Sequence, residues 1–483
     1  MEKEGRSSIQ GSSLQSHPDP GMKKNIIQQM ISCNLKKVRY NVTMNKTNGN
    51  ARRNSNGNGN GKPRIALLHF SGPPIISGVE LVMRDQARLF RQFNYKVEII
   101  VGVGKQFRKD IPIYLLKRMN STHPQVLKVR KELPNTTVSK TFKYLEKSLY
   151  RDLKRHILTN NIAICIVHNV MTRHYNLPLT AALVKLSKDL PQVRFVSWVH
   201  DATFADTAYF KIDPKLANLY PWSLLVTPLE NWTYVCISEF RKKELIKTFG
   251  ERSPKRLIVI PNGIDVAKFL RLSPQIREFY KTIGGLESDL IACTPVRLVR
   301  RKNLEFGIKI ASAMIKKGIN YKYIITGNLD QHQENQFYYQ SLNKLIEELG
   351  LQQNVFFLTE FLSSLENGKI NRQVDVEEIY MISDFLLMTS SIEGFGLPLI
   401  EAGLSRTPIF SSDIKPFHEI GTTNINYFSL SADPEKIATM ILNRMKELPQ
   451  AYFYRKVIKK YSIRMIFTKK IIPLITSVTN TKQ

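Results

Sequence analysis

The chain alternates short apolar runs with amphipathic helical segments, and that alternation confines it to one class of fold. "PRIALLHFSG" is a brief apolar run closing in glycine, which reads as a buried parallel strand and then a loop. "SGVELVMRDQARLFRQFNY" places Val79, Val82, Leu89 and Phe93 at helical spacing, and "KVEIIVGVG" returns to a strand. Strand, helix and strand within roughly 35 residues make a βαβ unit with a right-handed crossover. The pattern recurs in "IAICIVHN", "RFVSWVHDA", "WTYVCIS" and "RLIVIPNGID", and again, as a second set, from "LIACTPVR" through "YKYIITG" and "NVFFLT" to "DFLLMTS". At 483 residues the chain exceeds one hydrophobic core, so two domains of ~200 residues are expected. The expectation is an α/β chain of two Rossmann-like, doubly wound domains that meet near Asn262 and face each other across a cleft. Such sheets bind ligands at the carboxyl ends of their strands.

The expected boundaries are 63–262 for the first domain and 263–450 for the second, with 451–483 a C-terminal helix returning to the N-terminal domain. Residues 1–62 end in "NGNARRNSNGNGNGK", too polar to bury a core, and are expected to be a disordered tail. No apolar run approaches the ~18–20 residues that span a bilayer, and the first residues lack a signal-peptide core. Cys33, Cys165, Cys236 and Cys293 lack metal-ligand spacing, and a reducing cytoplasm fits them.

"DFLLMTSSIEGFGLPLIEAGLS" carries the most chemistry. A strand leads through a glycine turn into a helix with Pro398 in its first turn, where proline is well tolerated. The amides around Phe395, Gly396 and Leu397 then point out of a helix N-terminus, whose dipole favours a phosphate. Glu401, placed in the first helical turn, is positioned to accept hydrogen bonds from the paired hydroxyls of a ribose. Glu393, before the turn, lies nearer to whatever hangs beyond the phosphates. A solvated glycine turn is the bland alternative, and GFG by itself does not exclude it.

"SIEGFGLPLIEAG" resembles the glutamate–seven residues–glutamate signature of the GT-B glycosyltransferases, retaining family 4, also called glycosyl transferases group 1. "PNGID" at 261–265, "VRLVRRKN" at 296–303 and "MISDFLLMTSSIEGFG" resemble further motifs of that family in order and spacing. The resemblance is specific in the C-terminal half and mainly one of layout from Pro63 to Ser238. It implies that Glu393 contacts the donor sugar, Glu401 the ribose, and Arg297 with Lys302 the donor diphosphate. Fixed cations there offset the charge that develops on the leaving group. It implies also that Gly78, in the loop of Ser77, Gly78 and Val79, approaches the donor phosphates, and that His200 faces the transferred sugar. His168, on another strand, competes with His200 for that role. Thr359 and Glu360 replace a glycine usual in the family beside the base pocket, which leaves the base open. The resemblance therefore implies a nucleotide-diphosphate sugar as donor. No D-x-D metal motif or Walker A loop is present, so neither metal nor further cofactor is expected.

A net charge of +31 suits nucleic acid, anionic lipid or phosphorylated ligands alike. RNA-recognition modules, zinc fingers and aromatic-basic repeats are absent from the sequence, so nucleic acid is not the expected partner; a basic nucleic-acid binder or a catalytically silent scaffold are the alternatives. From Lys105 to His156 there are 14 Lys/Arg against 4 Asp/Glu. Within that stretch "KTFKYLEKSLYRDLKRHI" sets Phe142, Leu145, Leu149 and Leu153 on one helical face, which fits packing on a sheet, with a basic face outward. The expected acceptor is a lipid-linked or other glycan, at an anionic membrane surface on the cytoplasmic side.

Overall fold

A computed structural model describes residues 62–75, 78–133, 138–327, 333–365 and 375–480. Residues 1–61, all but the last of the expected tail 1–62, and Ser77 lie outside them. Residues 60–359 and 371–483 form one compact unit. The other unit comprises 1–59 and 360–370; of it only 360–365 are described, and they are helical.

Among the described residues the large unit contains two parallel sheets. The first runs in the order β3-β2-β1-β4-β5-β6-β7, with β1 Ile65–His69, β2 Val97–Val101, β3 Ile113–Leu115, β4 Ile164–His168, β5 Arg194–Val199, β6 Trp232–Cys236 and β7 Leu257–Val259. The second runs β10-β9-β8-β11-β12-β13, with β8 Leu290–Thr294, β9 Tyr321–Ile325, β10 Val355–Phe357, β11 Phe385–Met388, β12 Ile409–Ser412 and β13 Asn426–Phe428. All the pairings are parallel, as two doubly wound α/β domains require. In each sheet the winding reverses once, between β1 and β4 and between β8 and β11. A doubly wound sheet opens a crevice for ligands at that reversal.

The strands are nearly continuous apolar runs because both faces of each sheet are covered. One face of the first sheet is closed by helices Lys140–Thr159 and Leu177–Asp189, whose Leu149, Leu153, Leu179 and Leu183 join Leu68, Val167 and Phe195 in one core. The other face is closed by Gly78–Gln92 and by the chain's last helices: Ile466, Phe467, Ile471 and Ile475 pack with Ile65, Phe90 and Val196. The chain therefore passes twice between the sheets. The two crossings bind each other there, with Ile264 N donating to the Tyr461 carbonyl and Ile463 N to that of Ile264, at 2.8 and 2.9 Å. A Cβ on Gly263 would lie 2.7 Å from Ile463 Cα, so that crossing admits only glycine without a shift. Helix Pro449–Tyr461 belongs to the second sheet, held by Arg455 on the buried Asp384.

Candidate active site

The charged residues of the second sheet gather at its winding reversal. After β8, a short turn at Arg300–Lys302 ends on Asn303 at φ 48°, a left-handed conformation that asparagine tolerates better than most side chains. The turn is stapled to the loop after β11. The Thr389 hydroxyl donates to the Lys302 carbonyl at 3.0 Å, Ser391 N to the Arg301 carbonyl at 2.9 Å, and Arg301 Nη1 to the Ile392 carbonyl at 3.1 Å. This brings Lys302 and Glu393 into a direct ion pair in which both side chains are almost wholly enclosed. Arg301 reaches the second carboxylate oxygen at 3.0 Å, and the Ser390 hydroxyl donates to the first at 2.9 Å. Burial by itself pushes the Glu393 carboxyl up. The bonds from Lys302 and Ser390 and the two cations outweigh it and hold the group below the usual carboxylate range.

Arg297 stands exposed on the same loop and forms no ion pair among the described residues. Helix Leu397–Leu404 starts at Gly396 with no side-chain cap and with Pro398 near its start. Gly396 has φ 130°, and a Cβ there would meet the Phe417 ring at 3.0 Å, so glycine is required. Phe395 and Leu397 are exposed beside it. Glu401 is the fifth residue of this helix and so lies in its second turn, not the first as its sequence position suggested, because the helix begins only at Leu397. Its carboxylate accepts a 2.7 Å hydrogen bond from the Tyr380 hydroxyl.

The first sheet has its own constellation at the corresponding place, and it is made of histidines. His69 ends β1, His168 ends β4, and His200 follows β5. His69 Nδ1 donates to the His168 carbonyl at 2.9 Å, and His168 Nδ1 lies 3.1 Å from His200 Nε2 with one proton between them. The two histidines that competed in the sequence are therefore partners. Burial drives His200 down to about 3, helped by His69 and opposed by Glu80. It drives His168 well below 6.5, helped by His200 and His69, and His69 below 6.5 as well. All three are neutral at pH 7. Glu80, buried near the start of Gly78–Gln92, accepts a hydrogen bond from the Ser71 hydroxyl. Gly78 is exposed at the head of that helix, with open space where a Cβ would be.

Sequence reasoning thus named Arg297, Lys302, Glu393, Gly396 and Glu401, which cluster by stretches of chain, but not Arg301, Ser390, Tyr380, His69 or Glu80. A histidine closing "IALLH" was visible as a third strand-end histidine beside those of "CIVH" and "SWVH". Among the described residues no group of three or more His, Cys, Asp or Glu is arranged to hold a metal.

Comparison with known proteins agrees with this layout. The model for Glycosyltransferase Family 4 matches residues 76–268, and that for Glycosyl transferases group 1 matches 276–460. The mannosylglucosylglycerate synthase of Petrotoga mobilis is 24% identical over 365 residues, 70% of this chain and 81% of that protein. The O-antigen chain mannosyltransferase RfbU of Salmonella typhimurium is 35% identical over 247 residues, 50% of this chain and 59% of the relative. The two matched segments together take in every strand of the two sheets except β1, and the chain belongs to the group 1 glycosyltransferases of GT-B fold.

Proposed function

We propose that this glycosyltransferase takes a hexose from a nucleotide-diphosphate sugar and passes it, with retention of configuration, to a lipid-linked or other glycan acceptor at a membrane surface. The observation that carries the reading is the concentration of fixed positive charge at the β8–β11 reversal: Lys302 and Arg301 on Glu393, Arg297 exposed beside them, and an uncapped helix N-terminus at Leu397. A diphosphate leaving group gains negative charge as its bond to the sugar breaks, and cations fixed in a dry site stabilise it most at that moment. In this reading the acceptor oxygen bonds to the anomeric carbon on the face that the diphosphate leaves. The acceptor proton passes to the departing phosphate oxygen, so no protein nucleophile is needed. Glu393 meets the sugar hydroxyls and Glu401 the ribose. Arg297, Lys302 and the helix amides carry the charge, so catalysis proceeds without a divalent metal. Both relatives are named for mannosyl compounds, which makes a mannosyl donor the first to try.

The acceptor side is assigned to the first sheet, with His200 facing the transferred sugar. The helix Lys140–Thr159 turns Lys143, Lys147, Arg151 and Arg155 outward, with Tyr144 55% exposed among them, while Phe142, Leu145, Leu149 and Leu153 are buried. Attachment to a cytoplasmic membrane face therefore rests on charge and an interfacial tyrosine rather than on an inserted apolar stripe. No described helix is long and apolar enough to cross a membrane.

Melting curves with UDP, GDP and their sugars, each with and without EDTA, test the donor assignment. At a hundredfold excess over Kd the stabilisation is about 2.7 kcal/mol. A melting temperature unmoved by every nucleotide diphosphate at millimolar concentration overturns the reading, and a shift abolished by EDTA overturns its metal independence.

A further inference from the structure

The residue after His200 is better built for contact with a ligand than His200 itself. His200 is 6% exposed, and its Nε2 is engaged by His168. Asp201 has 44% of its side chain exposed, yet two elements hold it in place. From the loop after β4, Asn169, itself at φ 59°, accepts from the amides of His200 and Asp201 at 2.8 and 3.0 Å, and the Thr172 hydroxyl donates to the Asp201 carbonyl at 2.7 Å. From the same loop Arg173 meets one carboxylate oxygen at 3.1 Å, with Asn169 Nδ2 at 3.3 Å. From the helix after β6, Arg241 stands 4.0 Å from the other oxygen.

Arg173 is fixed in its turn. Its guanidinium lies between the rings of Tyr175 and Phe210, 4.3 and 4.2 Å from their centroids. It is only 9% exposed, and its Nε has no hydrogen-bond partner among the described residues. Phe210 ends a short helical turn, Thr207–Phe210, in which Tyr209 stands edge-on to it at 4.8 Å with 75% of its surface in solvent. So much organisation around a half-exposed carboxylate exceeds what a surface ion pair needs, since such pairs contribute only ~0–1 kcal/mol.

We propose that Asp201 and Tyr209 form an acceptor subsite for a neutral pyranose, Asp201 accepting hydrogen bonds from ring hydroxyls and Tyr209 covering the sugar's apolar face. A carboxylate has about four lone-pair sites and no proton to give, which suits a hydroxyl pair. Arg173 and Arg241 each engage one side of it and leave acceptor capacity toward solvent. An exposed aromatic ring beside a few fixed polar groups is the usual composition of a small-molecule site. An anionic ligand is disfavoured, because it would meet the carboxylate while Arg173 is already committed to Asp201 and Tyr175. The subsite rests on the reading of the first sheet as the acceptor side. Its place at the carboxyl ends of β4 and β5 is where such a sheet opens to ligands.

The test is titration of the whole protein, followed by ligand-observed NMR, with methyl α-mannopyranoside and methyl α-glucopyranoside and with the uronate of each. It is run with and without UDP or GDP. Wild type binds at least one neutral pyranoside more tightly than its uronate. Asp201→Asn weakens that binding tenfold or more, Asp201→Glu less than Asp201→Asn, and Tyr209→Ala severalfold. Melting temperature reports that each variant folds, and the nucleotide-induced shift reports the second sheet separately. The proposal is overturned if neither neutral pyranoside binds, if folded Asp201→Asn binds as wild type does, or if the uronate binds more tightly than the neutral sugar. Loss of the nucleotide shift in wild type strikes at the donor assignment instead, and the titrations without nucleotide still decide this one.

Discussion

The two winding reversals are the same place in two copies of one architecture, yet they handle charge in opposite ways. At β8–β11 an enclosed carboxylate is surrounded by cations, which outweigh the cost of its burial and hold it below the usual carboxylate range. At β1–β4 three histidines gather, and burial keeps them neutral, with repulsion from charged neighbours adding to it at His168 and His200. One site gathers opposite charges and the other holds its histidines neutral. A leaving diphosphate needs the first, and a sugar that passes through a positively charged transition state is better faced by neutral imidazoles than by imidazolium.

The largest expected effect breaks the charged site. In the proposed mechanism Lys302→Ala removes a leaving-group cation, and it leaves Glu393 with Arg301 as its remaining cation beside the Ser390 hydroxyl. By analogy with lost oxyanion-hole donors it costs ~2.7–4 kcal/mol, or about a hundred- to a thousandfold in turnover. Nucleotide release at saturating donor measures it, and unchanged kcat contradicts the role.

Glu401 should respond differently, because ribose contacts are alike in ground and transition states. Glu401→Ala removes a charged hydrogen-bond acceptor and also the partner of the Tyr380 hydroxyl. Donor affinity is expected to fall by ~1.5–3 kcal/mol with kcat little changed. A reversed pattern, with kcat falling and affinity unmoved, removes Glu401 from the ribose.

The two sites also differ in how far they could be read from sequence. Arg297 to Lys302 and Glu393 to Glu401 are contiguous stretches, so one loop and one helix start carry most of the charged site. The neutral site draws on His69, His168 and His200, about a hundred and about thirty residues apart. Only the strand order, which places β4 beside β1 and β5 beside β4, assembles it. Long apolar strands and amphipathic helices were legible because their periods are strong. β3, β12 and β13 were not, being three or four residues each, with "IYL" partly exposed and "IFSS" half polar. Arg301 is one of three adjacent basic residues in "RRK", and only the staple to Ile392 singles it out.

Acid sharpens the contrast. The unfolded chain takes up protons on histidine below about pH 6.5, whereas the folded His69, His168 and His200 are held lower, His200 to about 3. The unfolded state therefore binds more protons as pH falls. Stability, fully present above pH 6.5, should drop by ~1.4 kcal/mol per pH unit for each histidine that stays neutral. Between pH 6 and 5 most carboxylates titrate lower, but burial lifts Glu360 to about 7, so its proton uptake in the folded chain opposes the histidines there and is common to wild type and variant. His168→Asn should flatten the slope of unfolding free energy in that window by one histidine's share. A slope equal to that of wild type would mean that His168 is not held neutral by the fold.

The remaining effect concerns the outer face of the helix that covers the first sheet. Lys143 and Lys147 sit one turn apart on the exposed face of Lys140–Thr159, and that face lies opposite the buried Leu145 and Leu149. Each cation near an anionic leaflet adds ~1 kcal/mol. Replacing both with alanine should therefore weaken binding to anionic vesicles by about 2 kcal/mol, roughly thirtyfold. It should leave the melting temperature almost unchanged, because exposed lysines contribute little to the fold. Salt should act as the double substitution does, since screening shortens the reach of every such charge. Cosedimentation with anionic and neutral vesicles at low and high salt measures all of this. Equal binding to both lipids, or none, places the acceptor in solution and confines the role of the first sheet to recognising a soluble sugar.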